Sequence, residues 1–322
     1  MVPASGDARV IALGIATLSL LIWIGLALGR DGFWLTRERD DRVPPLPGRE
    51  GAGVGSSKAG VALSRGQPTP NPSLPGRGGT EWPSVVAVVP ARDEAEVIAE
   101  SIASLAAQDY PGDFRIILVD DSSSDGTAEI ARTVGSERLQ VVTGAPLAAG
   151  WTGKLWAVSQ GIAAAGDAPD YLLLTDADIA HAPDSVRSLV TRAVADDRVL
   201  VSLMARLRCE SLAERALIPA FVWFFQMLYP FATVNRRGRG LGAAAGGVML
   251  VQRRALAAAG GIAAVRSALI DDCAFGALMK QQGAVWLGLT DRAVSIRRYD
   301  TWASVAAMIS RSAYAQLRYS PL

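Results

Sequence analysis

Three groups of aspartates in this chain have the residue types and the spacing of a site for a divalent cation. Asp176-Ala177-Asp178 directly follows the apolar run 171–175, and Asp120-Asp121 ends an earlier apolar run. Two carboxylates two residues apart, just past a buried strand, can hold a divalent cation against a phosphate. Alone, such a triplet is more often a solvated turn. Because Asp271-Asp272 adds a third acidic group far downstream, we predict that the three groups share one site.

The segments that must position these aspartates alternate between short apolar runs and helical patterns. The run 85–90 is typical of a buried parallel strand, and 94–108 then carries apolar residues on one helical face. The same step recurs with strands at 115–119, at 139–142 and from 171, and with helices at 128–134 and 154–164. This alternation predicts an α/β fold with a mostly parallel, twisted sheet covered by helices on both faces. Ligands of such sheets bind beyond the carboxyl ends of the strands, where Asp121 and Asp178 fall.

Composition narrows the class of protein. The chain has 322 residues, enough for a large core, and its 50% hydrophobic content indicates a membrane-associated enzyme. A net charge of +1 excludes a bulk electrostatic field that recruits nucleic acid. The two cysteines, Cys209 and Cys273, form no disulfide framework and have no zinc spacing, which fits a reducing compartment. We interpret the single histidine, His181, as a loop or capping residue rather than a catalytic base.

The amino-terminal part predicts a membrane anchor and a linker. After a tail at 1–9, residues 10–29 carry no charge and are long enough for a transmembrane helix. A signal peptide is the alternative, but its apolar region is normally shorter and ends at an Ala-x-Ala type of cleavage site. Five arginines follow the segment and only Arg9 precedes it, so the rest of the chain is expected to face the cytoplasm. Residues 30–83 are rich in Pro and Gly and predict a largely disordered linker.

Two further apolar segments predict contact with a membrane surface. Residues 216–234 are apolar and aromatic, but Pro219, Gln226 and Pro230 argue against a second transmembrane helix. A crossing there would also separate Asp271-Asp272 from the other aspartates. We therefore expect an interfacial or partly buried segment, and a second, amphipathic one at 301–322, for which an ordinary surface helix is nearly as good an interpretation.

Four motifs make the chain resemble the family 2 glycosyltransferases. They are VAVVPARDE at 86–94, VDDSSSDGT at 119–127, TDAD at 175–178 and IDDC at 270–273, and the resemblance covers roughly residues 84–320. More narrowly, GWTGK at 150–154 and QLRY at 316–319 resemble the membrane-bound hopene-associated glycosyltransferases of the HpnB type, relatives of ceramide glucosyltransferase.

The resemblance implies a GT-A domain over residues 84–300 that binds a nucleoside diphosphate sugar, with UDP as the expected nucleotide. Pro90, Arg92 and Glu94 then line the base pocket, and Asp121 accepts hydrogen bonds from the uracil or ribose. Asp121 is otherwise explained as a helix cap. Lys154, at the start of a helix, matches a basic residue near the diphosphate, and a solvated surface lysine is its alternative.

The resemblance also implies a metal and a base. Asp178 is the expected direct ligand of Mg²⁺ or Mn²⁺, and Asp176 contacts the ribose or the waters of the metal. Asp272 matches the general base of inverting members, and neighbouring Asp271 would raise the apparent pKa of the pair. The alternative is that both acids cap a helix that begins near residue 273.

Two further matches complete the predicted site. Gly246 lies in the small-residue segment 242–247, which in relatives approaches the donor sugar. Arg318 falls where many membrane members have a diphosphate-binding arginine, although the spacing here is Gln-x-Arg and Tyr319 replaces a tryptophan. Relatives continue into carboxyl-terminal membrane helices, so the chain is expected to be truncated before them.

Together these matches predict an inverting glycosyltransferase that moves a sugar from a UDP-sugar to a lipid hydroxyl, with a hopanoid-related acceptor. Its predicted partners are the donor, the lipid acceptor and a membrane, with no nucleic acid. It would be anchored in a bacterial inner membrane and face the cytoplasm. Two alternatives remain: a nucleotidyltransferase on a related α/β scaffold, and a non-catalytic membrane scaffold that retains the fold.

Overall fold

The computed structural model describes residues 6–41, 82–268 and 271–316. Within these ranges the strands are β1 Val85–Ala91, β2 Phe114–Asp120, β3 Leu139–Thr143, β4 Tyr171–Thr175, β5 Ile179–His181, β6 Leu200–Arg206, β7 Val248–Gln252 and β8 Val285–Ser295. The helices are α1 Gly6–Gly29, α2 Ile98–Ala106, α3 Thr127–Thr133, α4 Gly153–Ala165, α5 Ser185–Ala195, α6 Leu212–Leu228, α7 Phe231–Asn235, α8 Arg253–Ala258, α9 Asp271–Lys280 and α10 Trp302–Gln316. Two short 3-10 helices span Phe33–Leu35 and Ile262–Val265.

The strands form one mixed sheet in the order β3-β2-β1-β4-β7-β6-β8-β5. Strands β1 to β4 pair in parallel, whereas β7 runs antiparallel to both of its neighbours, β4 and β6. Strand β8 is parallel to β6, and β5 is antiparallel to β8. Among the described strands, six therefore share one direction and only β5 and β7 oppose it. The predicted α/β sheet is confirmed, with these two reversals as the difference.

Helices cover both faces of the sheet, as predicted. Along β1, Val86 and Val88 pack in the cluster that contains the apolar side chains of α4 and α9. Val85, Ala87 and Val89 point the other way, into the cluster of α2 and α5. A strand that is buried on both faces reads as an unbroken apolar run, because neither face needs polar side chains.

The amino-terminal helix α1 covers the segment that was predicted to cross a membrane. Its apolar side chains are largely exposed, among them Leu13 and Leu28. Among the residues that the structure describes, no helix is both long enough and apolar enough to span a bilayer. The segment is helical as predicted, but the prediction of a transmembrane helix is not supported.

Residues 30–41, which were predicted to belong to the linker, are held against the domain. The Arg30 guanidinium donates to the backbone oxygen of Met227 at 2.7 Å, at the end of α6. The backbone N–H of Asp40 donates to the oxygen of Leu289 on β8 at 3.0 Å, and its carboxylate accepts from the Thr290 hydroxyl at 2.8 Å. The position of α1 is therefore fixed relative to α6. The remainder of the predicted linker, 42–81, lies outside the described residues.

The apolar segment 216–234 is divided between α6 and α7. On α6, Ile218 and Phe225 are buried whereas Phe224 is exposed, so the helix has one packed and one open face. The segment is thus partly buried. Helix α10 packs against α6 through Val305, which is fully buried.

Candidate active site

A polar cleft lies beyond the carboxyl ends of β1, β2 and β4, and it brings together seven of the predicted site residues. Its volume is about 860 Å³. Its charged and polar lining, together with Pro90, consists of Arg92, Glu94, Asp121, Lys154, Asp176, Asp178, Arg297, Tyr299 and Ser304. We call this space the polar cleft.

The two loops that form one wall of the polar cleft are bonded to each other. The backbone N–H of Asp93, after β1, donates to the Ser123 hydroxyl at 3.0 Å, and that of Ala95 donates to the Asp125 carboxylate at 2.9 Å. Asp93 and Ser122 have positive φ angles of 53° and 60°, which non-glycine residues rarely adopt without support from their surroundings. The Asp93 carboxylate in turn accepts from the backbone N–H of Ser124 at 2.8 Å, so the shape of the wall depends on side chains from both loops.

Asp121 faces the polar cleft and is not the cap of α3. Its carboxylate lies 3.7 Å from the exposed guanidinium of Arg92, and its backbone N–H donates to the oxygen of Ala91 at 2.8 Å. The N-cap of α3 is Gly126, and the carboxylate that accepts from the first backbone N–H of the helix, that of Thr127 at 3.1 Å, belongs to Asp125. The capping interpretation of Asp121 is therefore wrong, and its carboxylate is available to a ligand.

Lys154, near the start of α4, lies between carboxylates from two distant segments. Its ammonium is 2.7 Å from Asp176 and 3.6 Å from Asp271. Burial acts to lower the pKa of Lys154, but these carboxylates and Asp272 outweigh it and raise that pKa above its ordinary value. The side chain of Lys154 is 39% exposed, but its contacts with two carboxylates make it the cation of the acidic cluster and not an isolated surface lysine.

Asp178 is paired with Arg297, a residue that the sequence analysis missed. The Asp178 carboxylate accepts from the Ser295 hydroxyl at 2.8 Å and lies 3.4 Å from Arg297. Arg297 also donates to both carboxylate oxygens of Glu94. Burial raises the pKa of Glu94 despite this pairing, and the nearby carboxylates of Asp178 and Asp176 add to the rise.

The carboxylates of Asp176 and Asp178 suit a hard cation such as Mg²⁺ or Mn²⁺, provided that a ligand supplies the remaining oxygens. Within 6–41, 82–268 and 271–316, no group of three or more His, Cys, Asp or Glu side chains is arranged to hold a metal ion. Mg²⁺ in nucleotide sites is commonly held by one or two carboxylates, phosphate oxygens and water. The chain therefore fits a cation that is shared with a diphosphate, and not one in a closed protein cage.

Asp272 is held by two backbone N–H groups and has a raised pKa. One carboxylate oxygen accepts from the backbone N–H of Gly246 at 2.9 Å, and the other from that of Cys273 at 2.7 Å. Burial, followed by the charge of Asp271, raises the pKa of Asp272 to about 6, although Lys154 opposes the rise. The bond to Gly246 joins Asp272 to a segment outside its own helix, which simple capping of α9 does not explain.

The small-residue segment 242–247 is tightly packed against α9 and is not a flexible loop. A Cβ atom added to Gly276 would lie 2.2 Å from the backbone of Ala243, and one on Gly242 would lie 2.6 Å from the backbone oxygen of Gly276. The backbone N–H of Ala245 also donates to the Ser202 hydroxyl at 2.8 Å. Small residues are required here because two backbones touch, and that contact places Gly246 beside Asp272.

A second space, the apolar cavity, begins where the polar cleft ends. Its volume is about 630 Å³. Asp176, Asp178, Asp272 and Gly246 line one part of it. Helices α6 and α10 supply most of the rest, through Leu217, Ala220, Phe221, Trp223, Phe224, Phe225, Leu228, Met308 and Ile309. The acidic residues therefore lie on the border between a polar and an apolar space.

Glu214 holds the helices of the apolar cavity to the rest of the site. It is fully buried on α6 and accepts hydrogen bonds from the Arg208 guanidinium and from the backbone N–H groups of Ser211 and Tyr299. Burial alone would raise the pKa of Glu214, but hydrogen bonds from Ser211, Glu210, Tyr299 and Arg208 lower it to about 2. Because Tyr299 lines both spaces, this carboxylate fixes the segment between them.

His181 lines neither space. It lies on β5, buried, with its ring nitrogens 3.0 Å from the Thr175 hydroxyl and 3.3 Å from the Ser185 hydroxyl. Burial lowers the pKa of His181 to about 4, so the ring is neutral at physiological pH. The residue belongs to a strand and not to a loop. Arg318 and Tyr319, the last predicted site residues, lie outside the described residues.

Comparison with known proteins shows the family of the chain. The profile of the family described as glycosyl transferase family 2 matches residues 86–260, more than half of the chain. The chain belongs to this family. The enzyme class predicted from the sequence is therefore confirmed at the level of the family, and the nucleotidyltransferase alternative is not favoured.

A relative and a solved structure extend the comparison. The 4,4'-diaponeurosporenoate glycosyltransferase of Staphylococcus aureus (strain bovine RF122 / ET3-1) is 32% identical over 110 residues, which are 34% of this chain and 28% of that protein. The chain thus matches less than a third of the length of this relative. The mannosyltransferase PcManGT from Pyrobaculum calidifontis, solved with GDP-Man and Mn²⁺, aligns with a TM-score of 0.58 at 20% identity, over 79% of this chain and 67% of that one.

The likeness to PcManGT supports a GT-A-like fold and nothing finer. Family membership and fold were both predicted from the motifs, and both are confirmed. The narrower resemblance to the HpnB type and to ceramide glucosyltransferase is not confirmed.

Proposed function

We propose that the chain is an inverting, metal-dependent glycosyltransferase that moves a sugar from a nucleoside diphosphate sugar, with UDP as the expected nucleotide, to the hydroxyl of a lipid. The observation that carries this proposal is the position of Asp272. This residue has the pKa of a base and lines a cavity of about 630 Å³ whose other walls are mostly apolar. A cavity of this size and lining is typical of a site for an apolar ligand.

The donor would occupy the polar cleft. Asp121 can accept hydrogen bonds from the N–H of a base or from ribose hydroxyls, because an ionised carboxylate only accepts. Lys154, at the amino-terminal end of α4, would bind the diphosphate together with the free backbone N–H groups of the helix. Asp176 and Asp178 would hold the divalent cation, which supplies charge stabilisation to the departing diphosphate.

Transfer would begin at Asp272. Its carboxylate removes the proton of the acceptor hydroxyl while the hydroxyl oxygen forms a bond to the anomeric carbon. The bond from that carbon to the diphosphate oxygen breaks, and the nucleoside diphosphate leaves with the electron pair. With a pKa of about 6, Asp272 is ionised at neutral pH and more basic than an ordinary aspartate.

The apolar cavity supports a lipid as the acceptor. Trp223 lines the cavity and also contacts Trp23 of α1, with ring centroids 5.7 Å apart. The exposed apolar side chains of α1 therefore lie next to the cavity. We infer that this surface rests against the cytoplasmic side of a bacterial inner membrane, from which the acceptor enters, since large exposed apolar surfaces mark membrane or partner contacts. A hopanoid-related acceptor remains a prediction from the resemblance.

Filling the apolar cavity tests the proposal. In the full chain, Ala220→Trp narrows the cavity, whereas Ala216→Trp on the same helix adds the same bulk at an exposed residue that does not line it. We expect the KM for lipid acceptors to rise about tenfold only in Ala220→Trp. Transfer from UDP-sugars to isoprenoid and glycerolipid extracts is followed by mass analysis of the products.

Hydrolysis of the donor provides the internal control, because it needs the polar cleft and water but not the lipid. It should be unchanged in both variants. If Ala220→Trp and Ala216→Trp transfer sugar to lipids equally well, the apolar cavity is not the acceptor site. If neither variant nor the parent chain turns over any nucleotide sugar, the proposed activity itself is wrong.

A further inference from the structure

Arg297 connects two carboxylates that have different roles in the proposed donor site. Its guanidinium pairs with Glu94, in the loop that lines the nucleotide side of the polar cleft, and lies 3.4 Å from Asp178. The side chain of Arg297 is 38% exposed, whereas those of Asp178 and Glu94 are 15% and 16% exposed. A partly exposed cation therefore covers two nearly buried acids.

The contact uses the carboxylate of Asp178 that is proposed to bind the metal. Its Oδ2 atom accepts from Ser295 and is also the atom nearest to Arg297. A divalent cation and a guanidinium both require carboxylate oxygens, and they repel each other at short range. Tight binding of both to Asp178 at once is therefore unfavourable.

The backbone around Arg297 is anchored on both sides, so the side chain is the part that can move. The N–H of Ile296 donates to the backbone oxygen of Asp178 at 2.9 Å, and the N–H of Tyr299 donates to Glu214 at 2.9 Å. A guanidinium that leaves Asp178 stays within the polar cleft, which Arg297 lines. The planar guanidinium matches the oxygens of a phosphate in a bidentate manner.

We propose that Arg297 competes with the divalent cation for Asp178 and moves to the donor diphosphate when the two bind together. This inference rests on the proposed function. Arg297 would then bind the donor and would also keep the affinity for the divalent cation low until a nucleotide binds. Metal and nucleotide then bind cooperatively, because the diphosphate supplies oxygens to the metal and a new partner to the arginine.

The test measures Mn²⁺ binding directly, without turnover. Free Mn²⁺ is quantified by electron paramagnetic resonance in titrations of the full chain, first alone and then with UDP. In Arg297→Met, we expect Mn²⁺ alone to bind about fivefold more tightly than in the parent chain, since a partly exposed competing cation is lost. UDP in the presence of Mn²⁺ should bind at least about tenfold more weakly, since a charge-assisted contact to the diphosphate is lost.

Two further variants control for charge and for folding. Arg206→Met removes an exposed arginine at the end of β6, which pairs with Asp291 at 3.6 Å and does not line the polar cleft. It should leave both affinities unchanged. Arg297→Lys keeps the charge but not the planar guanidinium, and its Mn²⁺ affinity should fall between those of the parent chain and Arg297→Met.

The proposal predicts that Arg297→Met binds Mn²⁺ more tightly and UDP more weakly, and a purely structural role does not predict these opposite changes. A residue that only maintains the fold would weaken Mn²⁺ and UDP binding together, and that result, or an unchanged Mn²⁺ affinity in both Arg297 variants, overturns the proposal. If the parent chain binds Mn²⁺ with UDP but the variants behave as it does, only the role of Arg297 is wrong. If the parent chain binds no Mn²⁺ even with UDP, the metal-dependent donor site fails and this inference with it.

Discussion

The polar cleft and the apolar cavity differ in how the chain builds them. Much of the polar cleft is formed by the start of α4 and by loops that directly follow β1, β2 and β4, and one wall is held by hydrogen bonds between neighbouring loops, although Ser304 of α10 also lines the cleft. The apolar cavity is formed by α6 and α10, which are remote in sequence and are joined to the sheet through Glu214. The proposed donor space thus depends mainly on local backbone shape, whereas the proposed acceptor space depends mainly on the docking of two helices.

The two spaces meet at Asp176 and Asp178, with Asp272 on the apolar side only. This arrangement explains the pKa of Asp272, because apolar surroundings disfavour the charged carboxylate and make it a better base. A carboxylate placed within the polar cleft would be better solvated and less basic. The border between the two spaces is therefore where proton removal is favoured.

Replacing the proposed base should cause the largest change in activity. It should affect transfer next to the apolar cavity and leave UDP binding in the polar cleft unchanged. Asp272→Asn keeps the shape of the side chain but cannot take a proton. We expect kcat for transfer to fall about a thousandfold, while UDP binding in the polar cleft is unchanged. Single-turnover kinetics and nucleotide titration measure the two quantities. Transfer that persists at the parent rate would exclude Asp272 as the base.

The contact between segment 242–247 and α9 should matter for stability. In Gly276→Ala, the new methyl group would overlap the backbone of Ala243, so α9 must shift and the free energy of unfolding should fall by about 1–3 kcal/mol. Gly246→Ala is the matched control, because its methyl group meets its nearest atom, Asp272 Oδ2, at 3.4 Å. Denaturant unfolding monitored by tryptophan fluorescence compares them. Equal free energies of unfolding of the two variants would mean that segment 242–247 shifts at little energetic cost.

Breaking a hydrogen bond between the two loops of the polar cleft should have a smaller effect, limited to the donor KM. Asp125→Ala removes the acceptor for the N–H of Ala95, so the wall loses part of its fixed shape. We expect the KM for the donor to rise about threefold to tenfold, with the KM for the acceptor unchanged. Glu129→Ala, an exposed carboxylate on α3, serves as the comparison. A rise in the acceptor KM instead would show that the two spaces are not built independently.

Part of the polar cleft could be predicted from the sequence because its residues follow apolar runs within short motifs. Asp121 and Asp178 each follow a strand, so the alternating pattern was enough to place them together, whereas Lys154 was placed there only by the family resemblance. The fold of the first half was predictable for the same reason. The antiparallel insertion of β7 was not, because strand direction depends on pairing between distant segments.

No comparable sequence motif indicated the residues that join the two spaces. Arg297 pairs with Glu94, 203 positions away, and Glu214 with Tyr299, 85 positions away. A single arginine or glutamate in a helix or loop is usually a solvated residue, and nothing local indicates such a distant partner. Strands β6 and β8 were missed as well, since their short apolar runs lie in the less regular second half.

The pH dependence of transfer should show the smallest change and the most specific one. Because the pKa of Asp272 is raised to about 6, the base is ionised above that pH, and the rate should fall as the pH drops through it, to roughly a tenth of its maximum at pH 5. Asp271→Asn removes a negative charge that contributes to the rise, so the midpoint of the profile should move to lower pH. Asp167→Asn, at an exposed carboxylate paired with Arg253, should leave the midpoint in place.

The midpoint of the pH profile is the quantity to compare, because Asp271 also contacts Lys154 and its loss can change the donor KM without moving the midpoint. A midpoint that stays near 6 in Asp271→Asn would assign the raised pKa to burial alone, and the apolar side of the border would then account for the basicity of Asp272 without its acidic neighbour.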